Sequence, residues 1–193
     1  ETPDLAEKII SECSKSGKTI TVKFRAGICE NKLIAADFAK MAEQAGAKLI
    51  TIHGRTKEGM YSGPVHFDEI ARAKVAVSVP VIANGGIFTP ADADEMIEKT
   101  GADGVAVARG ALFDPLIFSR ISGNETNFSL VDCVEYLIEK RKLTQPDVIV
   151  AHALRKFVAQ LFKGVRGGKE AKLKIFAAES TAEILTVCRE YLV

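Results

Sequence analysis

Apolar residues recur with two different periods along the first 120 residues. Short apolar runs, which suit parallel strands buried on both faces, alternate with stretches whose apolar residues recur at helical spacing. The pattern predicts strands at 19–23, 49–53, 79–83 and 104–108, and helices at 3–16, 33–45, 67–77, 90–100 and 111–121, the last broken at Pro115. Strand ends fall roughly 25 to 30 residues apart, which suits one strand and one helix per repeat and, with right-handed crossovers, a parallel sheet.

The alternation stops after residue 122. Helical spacing alone continues, predicting helices over 130–142, 147–163, 169–178 and 180–192. Ser129 suits the N-cap of the first of these, and Ser180 with Glu183 fits a capping box for the last. We therefore predict a strand–helix domain over 1–122 and an all-helical domain over 123–193.

Composition excludes several classes of protein. The chain has 193 residues, 47% hydrophobic and 26% charged, with a net charge of +1, as in an ordinary soluble domain. It has no apolar run long enough to span a membrane and no signal-like N-terminus. Four scattered cysteines without a CxxC pair predict free thiols in the cytoplasm. The three histidines lie far apart, so no metal site is predicted.

Charge is concentrated in one segment of the helical region. Residues 140–174 hold ten basic side chains against two acids, Asp147 and Glu170, for a local charge of about +8. Such a segment is typical of a surface that binds a polyanion such as a nucleic-acid backbone. A solvated helix surface rich in lysine is the alternative.

Polar side chains stand repeatedly at the predicted carboxyl ends of the strands. The pattern allows either a doubly wound sheet or a (β/α) barrel. The polar residues favour the barrel, because barrel enzymes carry their chemistry at that edge. They are Lys23, Arg25, His53, Arg55, Asn84 and Arg109. Four strands are half of an eight-stranded barrel, so we expect an N-terminal half to be absent.

Two glycine turns follow the last two strands, Asn84-Gly85-Gly86 and Ala108-Arg109-Gly110. Loops after the seventh and eighth strands of a barrel often bind phosphate through backbone N–H groups, and an arginine adds charge. The alternative is that these glycines only turn the chain. Lys23 would stabilise negative charge on a bound ligand, or it is simply a lysine whose head reaches solvent.

Five motifs together resemble the tRNA-dihydrouridine synthases of the bacterial type. They are T-V-K-F-R-A-G (21–27), I-T-I-H-G-R-T (50–56), M-Y-S-G-P (60–64), P-V-I-A-N-G-G-I (80–87) and G-V-A-V-A-R-G-A-L (104–112). L-R-K-F (154–157) resembles the C-terminal tRNA-binding domain of that family. The resemblance implies the C-terminal half of an FMN-binding (β/α)8 TIM barrel, strands five to eight, followed by a helical tRNA-binding domain.

The resemblance also implies a reaction and a set of residues. NADPH reduces FMN, and the flavin then reduces a uridine of tRNA to dihydrouridine. Lys23 and His53 would contact the flavin ring system, and Asn84, Gly85, Gly86, Ala108 and Arg109 would hold the FMN phosphate. The residues expected near the uridine or the tRNA are Arg25, Arg55, Arg155, Lys156, Lys163 and Arg166.

The chain departs from the family pattern at three points. Gly86 stands where the family often has aspartate, and Ala108 where it often has glycine. The motif of the proton-donating cysteine does not occur, and we expect that residue in the absent N-terminal half. We therefore expect the chain alone to be inactive, and to pair with a second copy or with the other half through its open strand edges. Two alternatives remain: a dihydroorotate dehydrogenase-like reductase of a small molecule, or a non-catalytic RNA-binding module.

Overall fold

The computed structural model describes residues 2–124 and 126–192. The chain divides into two compact units, and the division falls between Ala108 and Arg109. The sequence predicted a domain boundary at 122/123. In the structure, the helices over 109–121 belong instead to the second unit.

The first unit alternates helices and strands in the predicted order. Helical bounds are α1 Pro3–Ser14, α2 Ala35–Gln44, α3 Phe67–Ala76 and α4 Pro90–Thr100. Strand bounds are β1 Thr21–Arg25, β2 Leu49–His53, β3 Val81–Asn84 and β4 Gly104–Ala106. The predictions for α4 and β2 are confirmed to the residue. Pro80 has no N–H for a sheet hydrogen bond, which fits the start of β3 at Val81, two residues later than predicted.

The four strands form one parallel sheet in the order β1-β2-β3-β4. The predicted parallel sheet is thereby confirmed. The bounds of β1 correct the sequence prediction, because the strand begins and ends two residues later than 19–23. Its pairing with β2 runs from Thr21 opposite Leu49 to Arg25 opposite His53, so Lys23 lies inside the strand and not at its end.

One face of this sheet is covered by the helices. Ile50, Ile52, Val81 and Ala83 are fully buried. Small buried residues of α2, namely Ala35, Ala39 and Ala42, allow that helix to lie close to its neighbours. Alternate residues of a strand point to opposite faces. Lys23, Thr51 and Ile82, which are opposite one another in the register, therefore project from the other, less buried face.

The second unit is entirely helical in the described residues. Its elements are α5 Arg109–Phe113, α6 Ile117–Ile121, α7 Leu130–Lys142, α8 Asp147–Leu161, α9 Gly168–Ala177 and α10 Thr181–Tyr191. Val150, Val158, Ile175 and Ile184 are among the fully buried residues of its core. The helix predicted over 111–121 with a break at Pro115 is found as two short helices, and the first begins at Arg109, two residues earlier than predicted.

Two predicted caps have different outcomes. Ser129 forms a complete capping box with Asp132 at the start of α7. Ser180 accepts a hydrogen bond from the N–H of Glu183, but the Glu183 carboxylate accepts from the N–H of Glu179 instead of returning to Ser180. The capping box predicted for α10 is therefore only half formed.

Candidate functional site

The carboxyl ends of the strands bring polar side chains into one row. Arg25 lies opposite His53, His53 opposite Asn84, and Asn84 opposite Ala106 in the sheet register. Residues opposite one another in a sheet project from the same face. The ends of β1, β2 and β3 therefore present a guanidinium, an imidazole and an amide in one row. This row lies on the face of the sheet that the helices do not cover.

A hydrogen-bond chain crosses this edge. The Lys23 Nζ donates to Asn84 Oδ1 at 3.2 Å, and Asn84 Nδ2 donates to the Ala106 carbonyl at 2.7 Å. Asn84 is 8% exposed, so its amide is held in one orientation. Partial burial, together with the charge of Arg25, lowers the pKa of Lys23. A negatively charged ligand at this edge would stabilise the ammonium form of Lys23 and would in turn be held by its positive charge.

The turn after β3 requires glycine. Gly85 and Gly86 have φ values of 127° and 77°, in the half of backbone space that side chains disfavour. A Cβ on Gly85 would lie 2.9 Å from His53 Cδ2 and 3.6 Å from Nη1 of the Arg55 guanidinium. The imidazole therefore lies directly against the turn, in the space that a side chain on Gly85 would need.

Two arginines fasten the loop that follows β2. Arg25 Nη1 donates to the carbonyls of Thr56 and Met60, at 3.0 and 3.1 Å. Arg55 Nε donates to the Gly63 carbonyl at 2.6 Å. This structural role was not predicted from the sequence, which assigned both arginines to the substrate. Only the tertiary fold brings residues 56–63 back over the ends of β1 and β2.

The start of α4 is already capped by an acid. The Asp92 carboxylate accepts from the N–H groups of Phe88 and Thr89, both at 2.9 Å, and the Thr89 hydroxyl completes the capping box. A helix start attracts anions through its dipole and its free N–H groups. Because Asp92 brings its own negative charge there, an anion at this edge depends on the Gly85-Gly86 turn and not on the α4 dipole.

The two remaining phosphate candidates lie on either side of the division between units. Ala108 is exposed and ends the first unit. Arg109 begins α5 of the second unit. Their part in a phosphate site stays a prediction, whereas the structure does bring together Lys23, Arg25, His53, Arg55, Asn84, Gly85 and Gly86.

The basic segment of the second unit is partly neutralised within the fold. Lys142 pairs with Asp147 at 2.8 Å. Lys174 pairs with Glu170 and Glu190 at 3.2 and 3.1 Å. The hydroxyl of Tyr191, followed by Glu190, raises the pKa of Lys174. These two lysines serve the fold and do not add to a surface charge.

The four tRNA candidates of this segment differ in their surroundings. Arg155 is committed to the fold, because its Nε and Nη2 both donate to the carbonyl of Ala178, with Nε at 2.8 Å. Lys163 lies 4.1 Å from the centre of the Phe113 ring. Lys156 and Arg166 are exposed. Contact of any of them with tRNA stays a prediction.

The described residues, 2–124 and 126–192, show neither a membrane-spanning helix nor a cluster of metal ligands. None of the helices there is both long and apolar enough for a membrane crossing. Within the same residues, no three His, Cys, Asp or Glu side chains gather as a metal site would need.

Burial raises the pKa of Cys188 to about 12, and burial also raises the pKa of Cys133, so both thiols are protonated at neutral pH.

Comparison with known proteins gives a consistent family. The model of the family described as dihydrouridine synthase matches residues 1–191. The chain is 34% identical to tRNA-dihydrouridine synthase B of Pseudomonas putida, over 84% of this chain and 51% of that protein. It is 44% identical to a probable tRNA-dihydrouridine synthase of Rickettsia conorii, over 61% of this chain and 36% of that protein.

The chain thus spans between about a third and a half of the length of these curated relatives. Among solved structures, a nitroalkane oxidase from Streptomyces ansochromogenes matches 57% of this chain and 36% of its own, with 20% identity and a TM-score of 0.38. A TM-score that low supports no inference. The family match extends over nearly the whole chain, and the chain therefore belongs to the dihydrouridine synthase family.

Proposed function

We propose that this chain is the part of an FMN- and NADPH-dependent tRNA-dihydrouridine synthase that builds one wall of the flavin site and binds tRNA. The observation that carries the proposal is the row of Lys23, His53 and Asn84 beside the Gly85-Gly86 turn. Cationic and amide side chains beside an open backbone turn are what a phosphorylated ring cofactor requires.

The residues fit FMN on two structural grounds. A Cβ on Gly85 would run into the His53 imidazole, so the glycine allows this ring to lie directly against the backbone of the turn. The polar groups in the row are the Lys23 ammonium, the His53 imidazole and the Asn84 amide, which suit the phosphate and the polar ring edge of a flavin. Lys23 and His53 would hold the ring system, and Asn84 with the two glycines, joined by Ala108 and Arg109, would hold the phosphate.

FMN, once reduced by NADPH, supplies the hydride that saturates the uracil ring. This chain's residues would bind and orient the cofactor, and the loop held by Arg25 and Arg55 would lie near the uridine. The proton on the other carbon of the uracil comes, in this family, from a cysteine whose motif this chain does not contain. We therefore propose that the 193 residues alone bind FMN and tRNA without turnover.

The half-barrel assignment rests on strand order. In the sheet, sequence order and spatial order coincide from β1 to β4. A doubly wound sheet reverses its strand order at a switch point, whereas a barrel does not. The order therefore favours four consecutive strands of a barrel. β1 and β4 each have one open edge, and we propose that a second copy or the other half of the barrel pairs there.

Binding of tRNA is proposed for residues 123–193. Lys156 and Arg166, both exposed, are its strongest carriers. Arg155 supports the same surface indirectly, because it fixes the end of α9 through the Ala178 carbonyl. The target uridine must leave the RNA stack to reach a flavin, as for other enzymes that act on bases.

Titration of the chain with FMN tests the cofactor site, with riboflavin as the probe that lacks the phosphate. Flavin fluorescence gives both dissociation constants. We expect FMN to bind more tightly than riboflavin, and Lys23→Met to weaken both ligands. Lys48→Met is the matched control, because Lys48 is an exposed lysine next to β2 at the opposite edge of the sheet.

Equal affinity for FMN and riboflavin, or equal effects of the two lysine variants, would contradict the proposed site. Turnover is tested separately with unmodified tRNA, FMN and NADPH, and dihydrouridine is measured by mass spectrometry. Dihydrouridine formed by the chain alone would refute the proposal that it lacks the proton donor. Failure of the chain to bind tRNA would refute the role of the second unit.

A further inference from the structure

A cavity lies wholly within the helical unit. It encloses about 660 Å³ between α5, α6, α7, α8 and the segment before α7. Its walls are largely apolar and include four aromatic rings, those of Phe118, Phe128, Tyr136 and Phe157. None of the predicted flavin or tRNA residues lines it.

The aromatic walls are accessible. Phe118 exposes 53% of its surface, Phe128 56% and Tyr136 53%. Aromatic side chains in a core are ordinarily buried. Three half-exposed rings around one cavity therefore form a surface on which a flat apolar ligand could bind. Nucleobases stack on such rings with little regard to their identity, because every base has a π face.

Charge at the cavity is of one sign. Among the described residues that line it, Arg141 is the one that carries a charge. Arg141 lies in the last turn of α7 between two lysines, and Lys140 Nζ is 5.3 Å from the centre of the Tyr136 ring. An aromatic floor with a cationic rim is complementary to one nucleotide, whose base is apolar on both faces and whose phosphate is an anion.

We propose that this cavity binds a single unpaired nucleotide of an RNA, with its base against Phe128 and Tyr136 and its phosphate at Arg141. The choice of tRNA as the source of that nucleotide rests on the function proposed above. A nucleotide is favoured over an apolar peptide or a lipid chain, because it combines a flat ring that can stack on the aromatic side chains with an anionic group for Arg141. The cavity would hold the tRNA by an extruded or looped base, at a place separate from the flavin edge in sequence.

Short single-stranded RNA with one internal 2-aminopurine tests the proposal on the full chain. The chain has no tryptophan, so the probe's fluorescence is the only strong signal at its wavelength. Stacking quenches 2-aminopurine, and we expect quenching that saturates with binding. The same strand in a duplex should bind more weakly and show no added quenching, because its base is already paired and stacked.

Three variants and one control assign the binding to the cavity. Phe128→Ala and Tyr136→Ala should each weaken single-strand binding roughly tenfold, as expected for one stacked base. Arg141→Gln should reduce the slope of log affinity against log salt by about 0.7, as for one single-strand phosphate. Phe176→Ala is the matched control, because Phe176 is 50% exposed in α9 and is not part of the cavity.

The outcomes separate this inference from the function proposed above. Wild-type affinity and quenching in Phe128→Ala and Tyr136→Ala would overturn the nucleotide site, even if the chain binds tRNA. Equal loss in Phe176→Ala would overturn it as well, because the effect would then not belong to the cavity. Single-strand binding that depends on the cavity, in a chain that does not bind tRNA, would support the site and refute the tRNA function.

Discussion

Gly85 offers the sharpest test of the candidate site, because its structural requirement has two separable parts. Its φ of 127° disfavours any side chain. Its missing Cβ also leaves room for the His53 ring, which would otherwise lie 2.9 Å away at Cδ2. Gly85→Ala therefore forces both a backbone strain and a displacement of the imidazole.

The two parts have different expected sizes. Left-handed backbone costs a side-chain-bearing residue about 1–2 kcal/mol. Moving the imidazole off its preferred rotamer adds about 0.5–1.5 kcal/mol. Gly101→Ala supplies a left-handed backbone cost without a clash, because Gly101 has a φ of 62° and a Cβ there would meet nothing within 4 Å. The φ of Gly85 lies outside the left-handed helical region and disfavours a side chain more strongly. We expect Gly85→Ala to lower the free energy of unfolding by at least about 1 kcal/mol more than Gly101→Ala does.

A double-mutant cycle measures the second part directly. His53→Ala removes the ring that the new Cβ would meet, so Gly85→Ala should cost less in the His53→Ala background than in the wild type. Unfolding in urea followed by circular dichroism gives each free energy, and the cycle gives a coupling of about 1 kcal/mol. Gly101→Ala combined with His53→Ala should be additive, since the two residues share no contact.

FMN titration of the same variants completes the test. Gly85→Ala should weaken FMN binding, whereas Gly101→Ala should leave it unchanged. Additive costs for Gly85→Ala and His53→Ala would refute the reasoning, because the imidazole would then not be what the glycine accommodates. Unchanged FMN affinity in Gly85→Ala would separate the turn from the proposed cofactor site.

Three further predictions follow from contacts in the two units. Arg25→Met should speed chymotryptic cleavage after Tyr61, because it releases two carbonyls of the 56–63 loop, and cleavage at the wild-type rate would contradict that role. Arg155→Met should lower the free energy of unfolding by about 1–3 kcal/mol, since the buried Ala178 carbonyl loses both of its donors; an unchanged urea midpoint would refute this. Lys142 and the Thr181 hydroxyl hold the pKa of Asp147 down to about 2. Its ionised form therefore stabilises the fold above pH 4, and this is lost between about pH 4 and 2; Asp147→Asn should flatten acid unfolding in that window, and an unaltered profile would contradict the assignment.

Local sequence rules accounted for most of the secondary structure. Both ends of α4 and the start of α7 are set by residues next to them in the chain, namely Thr89 with Asp92, Gly101, and Ser129 with Asp132. Such caps are short-range hydrogen bonds and can be read from spacing alone. The alternation of strands and helices likewise determined a parallel sheet, because short crossovers allow no other arrangement.

The extent of β1 was decided by its partner. Residues 19–25 all suit a strand, and only the pairing with β2 sets the strand at Thr21–Arg25. That shift of two residues places Lys23 at the middle of β1 instead of at its end. From there its ammonium reaches the Asn84 amide of β3, on the far side of β2. Sequence spacing cannot fix such a contact, because it depends on register.

The sequence by itself determined which residue types stand at the strand ends and that a glycine turn follows β3. Only the tertiary structure decided what those residues do. It put the imidazole against the turn, gave Arg25 and Arg55 a loop to hold, and committed Arg155 to the end of α9. The physical reason is that a charged side chain binds the nearest polar group, and which group is nearest is fixed by the packing of distant segments.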